Sequence, residues 1–368
     1  MTDSEPREGV GVAASADRRV VVRGHPFNAE APLAALDTPI TPVADFYVRT
    51  NLSVPVVDPT TWRLTVDGLV DRPLELSLSD LETLPTVELA CTLECAGNNR
   101  TRLAPITEGE PWGPGAVSTA RFGGVPLDTV LDQAGVRPGT VEIRFEGADR
   151  GTPRGRADAI AYERSLLLAD ARGHDVLLVT SMNGSRLTEE HGAPVRLLVP
   201  GWYGMAAVKW LRRIEALDRP LQGHYQTRQY RYYADEPVGS PDAPPVRTMR
   251  VNSVVIRPAS GDVIGPGPHV VRGAAWSGDA SIAAVEVSID AGEWQRADLD
   301  ERASDIADRY AWRHWSFAWA GGPAGRHSIR ARATSTDGAV QPDQPSWNRL
   351  GYGNNAIAVT LVTVRDDG

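Results

Sequence analysis

Period-two alternation of apolar and polar residues runs through much of the chain, and helical periodicity is rare. Residues 87–95 read VELACTLEC, with Val87, Leu89, Cys91, Leu93 and Cys95 on one face and Glu88, Ala90, Thr92 and Glu94 on the other. That pattern predicts a strand carrying both cysteines on its apolar face. Val141, Ile143 and Phe145 alternate in the same way, as do Val208, Trp210, Arg212 and Ile214. Residues 175–182 and 195–199 are apolar runs of strand length, with Asn183-Gly184 as a turn signal between them. Leu127, Val130, Leu131 and Ala134 instead recur at helical spacing and Gly135 follows as a stop, which predicts a short helix over 126–134. Strands and helix intermixed from Phe46 to about Tyr233 indicate a mixed α/β or α+β unit.

The pattern then changes. Residues 235–248 read DEPVGSPDAPPVRT, polar, rich in proline and free of periodicity, which marks a linker. Beyond it, strand-like runs recur at 251–256, 269–275, 283–289, 313–320, 327–333 and 356–364, separated by turn signals such as Ala291-Gly292 and Asp337-Gly338. Short strands at that spacing without helical period argue for an all-β sandwich of immunoglobulin-like kind. Residues 1–42 lack periodicity and read as an extension that wraps on the surface or is partly mobile. The expected division is therefore an extension over 1–42, a first domain over 43–234, a linker over 235–248 and a sandwich over 249–368.

Composition narrows the chemistry. The 368 residues fit two domains, and 42% hydrophobic with 23% charged residues is ordinary globular content. No apolar run is long enough for a membrane-spanning helix. A net charge of −9 argues against nucleic acid as a partner, and an anionic substrate would need local arginines. Two cysteines are too few for an iron–sulfur cluster or a disulfide framework, and no C-x-x-C-H run offers a c-type haem site. Four strand steps put the Cα atoms of Cys91 and Cys95 roughly 13 Å apart, too far for one disulfide or one zinc. Cys91, mid-strand, reads as a small buried hydrophobe. Cys95 ends the strand and opens into Ala96-Gly97-Asn98-Asn99-Arg100, where Gly97 permits close backbone approach and Arg100 favours a thiolate. On chemistry alone, a structural role for Cys95 is the stronger reading and a functional one the alternative. Lys209 is the single lysine among 38 basic side chains, a bias read as compositional. The acidic start, Thr2-Asp3-Ser4-Glu5, is unlike an export signal, so a cytoplasmic protein is expected.

ECAGNNR, residues 94–100, resembles the molybdenum-ligand motif CAGNRR of the sulfite oxidase family, and further segments follow in order. DFYVRTN at 45–51 is similar to FFxRNH. PWGPGAVSTARFGGVPL at 111–127 resembles the stretch that places a tryptophan beside the metal, and FEGAD at 145–149 follows. MNGSRLTEEHGAPVRLLVPGWYGMAAVKW at 182–210 resembles the pterin-holding segment, RQYRYY at 228–233 fits in spacing, and residues 336–355 resemble the end of the dimerisation domain. The resemblance covers about residues 40 to 365. It implies an α+β molybdopterin-binding domain and a homodimer formed through the sandwich, with one molybdenum–molybdopterin per chain. Cys95 would be the metal's thiolate ligand, a soft donor. Arg49 and Arg100 would face an oxyanion, Tyr230 would donate a hydrogen bond, and Trp112 would wall the pocket. Phe46, Tyr47, Asn51, Asp149, His191, Arg196, Met205 and Lys209 would hold the cofactor.

The departures bear on substrate. Thr50-Asn51 stands where the family has Asn-His, Asn99 replaces an arginine, and Arg349 in Trp347-Asn348-Arg349-Leu350-Gly351 lies one place early against WNLRG. With no cytochrome b5 signature, flavin motif or Rossmann fingerprint, no haem or flavin is expected, and electrons should pass to an external acceptor. The activity implied is oxidation of sulfite, a small anion, to sulfate. The rivals are oxo transfer to another small substrate and a metal-free interaction protein.

Overall fold

The computed structural model describes residues 18–300 and 309–366, so the part of the expected extension at 1–17 lies outside the described residues. Two five-stranded sheets build the N-terminal unit. The first runs Ser185–Arg186, Leu177–Met182, Val117–Pro126, Val87–Glu94, and Arg196–Leu198 also pairs with Leu177–Met182; every pairing is antiparallel. The second runs Leu74–Ser77, Arg63–Gly68, Leu211–Leu217, Glu142–Gly151, Ile160–Leu167, with one parallel pair at its centre.

Local sequence explains several elements. Asn183 and Gly184 take φ 52° and 75°, both positive as a two-residue type I′ turn requires, and Ser185 pairs with Met182 across it. The helix Leu127–Ala134 buries its four periodic residues and stops at Gly135, which takes φ 67°. The other described α-helices, Leu78–Glu82, Leu168–Gly173 and His224–Thr227, are shorter still, so the unit is mostly β with few helices. The strand expected from Val208 begins only at Leu211, because Trp210 at φ 50° is outside extended geometry.

The C-terminal unit is all strand among the described residues. Asn252–Arg257, His269–Trp276, Arg313–Trp319 and Asp298–Leu299 form one sheet. Val263–Ile264, Val359–Val364, Gly325–Ser335, Ile282–Ile289 and Gln295–Arg296 form the other. Each of the six expected runs holds a strand; the three strands that were not anticipated have two residues each, too few for a period to show.

The first of these sheets is apolar on both faces. Val255, Val271, Ala275, Trp315 and Phe317 pack toward Val285, Val287, Ile329 and Val362 of its partner sheet. Val254, Ile256, Ala274 and Trp276 belong instead to the core of the N-terminal unit. Runs such as Val254-Val255-Ile256 are therefore continuous rather than alternating because water reaches neither face.

The same packing changes the cysteine strand. Val87 is 46% exposed as the strand begins, yet every residue from Ala90 to Glu94 is buried. The expected open face is covered by the C-terminal unit: Thr92 Oγ1 accepts from the Trp312 N–H at 2.8 Å.

The extension, expected to wrap on the surface or be partly mobile, and the expected linker are both packed where the structure describes them. In the extension, Val20–Arg23 pairs with Asn28–Glu30, Leu36 is fully buried, and Asp37 meets Arg257 and Arg272 of the C-terminal unit. In 235–248, Ala243 and Val246 are fully buried and Val246 N–H donates to Tyr230 O at 2.8 Å. Aperiodic sequence here reflects irregular backbone under tertiary contact, not looseness. Among the described residues no helix is long and apolar enough to cross a membrane.

Candidate active site

Cys95 follows the last residue of Val87–Glu94, where the pairing with Val117–Pro126 ends. Its N–H donates to Ala116 O and its carbonyl accepts from Asn98 N–H, both at 2.8 Å, so the backbone turns sharply after it. A Cβ at Gly97 would stand 2.5 Å from the Arg100 guanidinium, which is why glycine occupies that place. Cys91 and Cys95 are both buried, and neither is in a disulfide.

Cys95 lines a cavity of about 650 Å³, part of it open to solvent. Of the residues singled out in the sequence, Phe46, Tyr47, Arg49, Asn51, Asp149, His191, Arg196, Met205, Lys209 and Tyr230 line it too. Near Cys95, Asn51 Oδ1 accepts from Arg49 Nη2 at 2.6 Å and from the Tyr230 hydroxyl at 3.2 Å, tying cation and phenol together. Arg49 Nη1 donates to Asn28 Oδ1 at 3.1 Å and to Thr50 O at 2.5 Å, so the N-terminal hairpin helps aim it.

The remaining polar group comes from loops and irregular strand. Asp149 sits within the register shift between Glu146 and Arg150, and such an irregularity re-aims side chains. Its Oδ1 has no hydrogen-bond partner among the described residues, and burial pushes its carboxyl up to about 7 although Lys209 opposes this. Burial, with Arg196 adding to it, brings the Lys209 ammonium down to about 7; Nζ donates to Glu190 O at 2.7 Å. Arg196 donates to His191 O at 3.1 Å and Ala207 O at 3.3 Å, its Nε is unpartnered, and burial lowers it to about 10. Burial, then Arg196 and Lys209, drive His191 down to about 3, so its ring is neutral.

Two expected wall residues stand elsewhere. Arg100 is not among the lining residues. Its Nη1 donates to Glu110 O at 2.7 Å, its Nε and Nη2 reach Leu350 O at 3.2 and 3.1 Å, and its guanidinium lies 5.3 Å from the Tyr352 ring centroid. Trp112 is also absent from the lining. It is fully buried in the apolar cluster that contains Cys95 and Phe46, so it backs the site without facing it. Arg349 is exposed. Conversely, Tyr162, Glu190 and Trp210 line the cavity and were not singled out. Glu190 and Trp210 adjoin His191 and Lys209 in sequence, which was a usable signal. Tyr162 had none: it is one tyrosine on Ile160–Leu167, placed when its hydroxyl donates to Met205 O at 2.7 Å.

The donor set suits a large, partly anionic, nitrogen-rich group. Asp149 Oδ1 is an acceptor without a donor, and Arg196 Nε is a donor without an acceptor, in a buried setting where such atoms are costly. Among the described residues no cluster of three or more His, Cys, Asp or Glu could hold a metal ion. Cys95 would therefore be one donor among several, the others brought by the bound group.

Residues 51–225 match the family described as the oxidoreductase molybdopterin binding domain, and 243–364 the Mo-co oxidoreductase dimerisation domain. The chain is 38% identical over 349 residues to mitochondrial sulfite oxidase of Homo sapiens, covering 90% of this chain and 63% of that one. It is 37% identical over 344 residues to sulfite oxidase of Gallus gallus, covering 89% of this chain and 74% of that one. It thus spans somewhat under two thirds of the human relative. In structure it is similar to the sulfane dehydrogenase SoxCD of Paracoccus pantotrophus, with a TM-score of 0.82, 28% identity, and coverage of 98% of this chain and 94% of that one.

Proposed function

The chain belongs to the sulfite oxidase family of molybdopterin oxidoreductases, and on that premise we propose that it is a molybdenum-dependent enzyme that oxidises sulfite to sulfate and passes electrons to an external acceptor. The observation that carries this reading is one cavity holding a buried thiol, Cys95, together with unpartnered polar atoms on Asp149 and Arg196. When bound, the molybdenum cofactor would supply two-electron oxygen-atom transfer at a metal that takes the Cys95 sulfur as a ligand.

The chain's own residues do the rest. Asp149 accepts from N–H donors of the pterin, while Arg196 and Lys209 meet its phosphate. His191, neutral, hydrogen-bonds there without adding charge, and Phe46, Tyr47 and Met205 complete the lining. Arg49 attracts the anion against a net charge of −9. Asn51 holds Arg49 and the Tyr230 hydroxyl side by side, and the phenol would turn its single O–H from Asn51 Oδ1 to the substrate, so that one substrate oxygen meets a cation and a neutral donor together. Arg100 acts at a distance: with Arg49 it opposes the rise that burial imposes on the Cys95 thiol.

The remaining assignments complete the proposal. Residues 43–234 hold the cofactor, 235–248 connect, and 249–368 form an immunoglobulin-like sandwich that pairs two copies. The chain brings no haem, flavin or iron–sulfur group of its own. One observation favours a second reading, oxo transfer to a different small substrate: Arg100 is committed to main-chain carbonyls and Arg349 is exposed, so Arg49 is the arginine left beside Cys95. The test is turnover of sulfite by molybdenum-loaded protein with an artificial one-electron acceptor, alongside other small sulfur compounds. Sulfate formation supports the first reading; turnover of another compound alone supports the second.

A further inference from the structure

The residue before Cys95 is an acid that the proposed chemistry does not use. Glu94 is 1% exposed. Its Oε1 accepts from Asn98 Nδ2 at 2.9 Å and Asn252 Nδ2 at 3.1 Å, and its Oε2 from Trp276 Nε1 at 3.0 Å. Asn98 belongs to the turn that Cys95 begins. Asn252 and Trp276 lie opposite each other on neighbouring strands of the C-terminal unit.

None of these donors can be turned around. Asn98 Oδ1 accepts from Ala116 N–H at 3.1 Å, which leaves its amide nitrogen toward Glu94. Asn252 Oδ1 accepts from Ser253 N–H at 2.9 Å and from Gln341 Nε2 at 3.0 Å. Gln341 is oriented in turn by Ala333 N–H, which donates to its Oε1 at 2.9 Å. An indole only donates. Three fixed donors thus converge on one side chain, and an ionised carboxylate, which only accepts, satisfies all of them. A carboxamide would set its own N–H₂ against a donor whichever way it turned.

We propose that Glu94 is a positioning residue through which the C-terminal unit holds the Cys95 turn. Among the described residues that unit contributes none to the cavity lining, yet through Asn252 and Trp276 it sets where the thiol stands. The effect on turnover rests on the proposed ligand role of Cys95; the geometric claim does not.

The experiment reads Cys95 in the cofactor-free, full-length chain. Cys91→Ala leaves one thiol of the two, and its alkylation by iodoacetamide is followed under native conditions. Adding Glu94→Gln should raise the rate roughly tenfold, the scale of one lost hydrogen bond that leaves a buried donor unpaired. Adding Trp276→Phe as well removes the opposing donor and should bring the rate back most of the way. Val285→Ala, which loosens the sandwich core elsewhere, should leave the rate unchanged. The proposal is overturned if Glu94→Gln alkylates no faster than the parent, if the double variant stays fast, or if Val285→Ala matches Glu94→Gln. Should Glu94→Gln not fold, Trp276→Phe alone is read by hydrogen exchange. Faster exchange at the amides of 95–99, with those of Glu142–Gly151 unchanged, supports the proposal, and unchanged exchange at both overturns it. Neither readout involves sulfite, so absent turnover with the expected labelling would fail the functional reading and leave this one standing.

Discussion

The Asp149–His191–Arg196–Lys209 group and the turn after Cys95 are both buried and charged, but they are finished to different degrees. In the first, Asp149 Oδ1 and Arg196 Nε have no partner, and burial has moved Asp149 and Lys209 to about 7 from opposite sides. In the second, Glu94 has a donor at each carboxylate oxygen and Arg100 has each guanidinium nitrogen on a carbonyl, and of the turn's side-chain atoms Asn99 Oδ1 is left without a partner among the described residues. An unfinished polar group in a cavity is the mark of a ligand, because leaving it unsatisfied costs about 1–3 kcal/mol per atom. A finished one is scaffold, even when the sequence motif places it beside the reacting atoms. Arg100 shows the difference: its neighbour Cys95 lines the cavity, and it does not.

The largest expected effect tests the two cysteines. Cys95→Ser should abolish turnover and leave the fold intact by circular dichroism, whereas Cys91→Ser should retain about one molybdenum per chain by metal analysis. The reverse pattern would move the ligand assignment to Cys91. Next come the arginines. Arg49→Met should lower kcat/KM for sulfite by about 10- to 150-fold, the scale of a lost charge-assisted hydrogen bond, and should lower the melting temperature too, because Thr50 O and Asn28 Oδ1 each lose a donor. Arg100→Met should act chiefly on stability, since Leu350 O and Glu110 O would each be orphaned at about 1–3 kcal/mol. If Arg100→Met melts like the parent, the distinction between finished and unfinished groups fails. A third contrast is Arg196→Gln, whose amide keeps one donor for His191 O or Ala207 O: it should weaken cofactor retention, assayed by released pterin, and lower the melting temperature of the cofactor-free protein less than Arg100→Met does.

The smallest effect lies far from the cavity. His327 Nδ1 meets Asp290 Oδ2 at 2.7 Å and Nε2 meets Pro323 O at 2.8 Å. Both partners are acceptors, so the ring satisfies them only as imidazolium, and the Pro323 carbonyl, then Asp290, raise it above its usual value. A raised histidine stabilises the fold fully below its unfolded pKa, near 6.5, and loses that contribution as pH climbs through the folded value. The melting temperature should therefore fall slightly over that window, and His327→Gln should flatten the slope.

What sequence conveyed depended on how local the cause was. The helix Leu127–Ala134, the Asn183-Gly184 turn and the six sandwich strands follow from spacing within a few residues. The period of 87–95 located a strand but misjudged its second face, because the covering residues, Trp276 and Trp312, lie about two hundred positions later. In the site, residues named by a motif mostly reached the cavity. Tyr162 was invisible because only the folded strand brings it to Met205. Arg100 was misplaced because a motif records proximity in chain and says nothing of what each hydrogen bond is spent on.

The sheet that carries Asn252 and Trp276 has no outside. Its two faces are interior to different cores, so neither half of the chain owns it. A truncation near residue 243, where the second family match begins, would bare Leu36, Thr92 and Glu94 on one fragment and Val254, Ile256 and Trp276 on the other. Each piece would then present an apolar surface that water cannot satisfy, and aggregation is the expected fate of both. In calorimetry the intact chain should show one endotherm with van't Hoff and calorimetric enthalpies in agreement, although its sequence divides so readily in two.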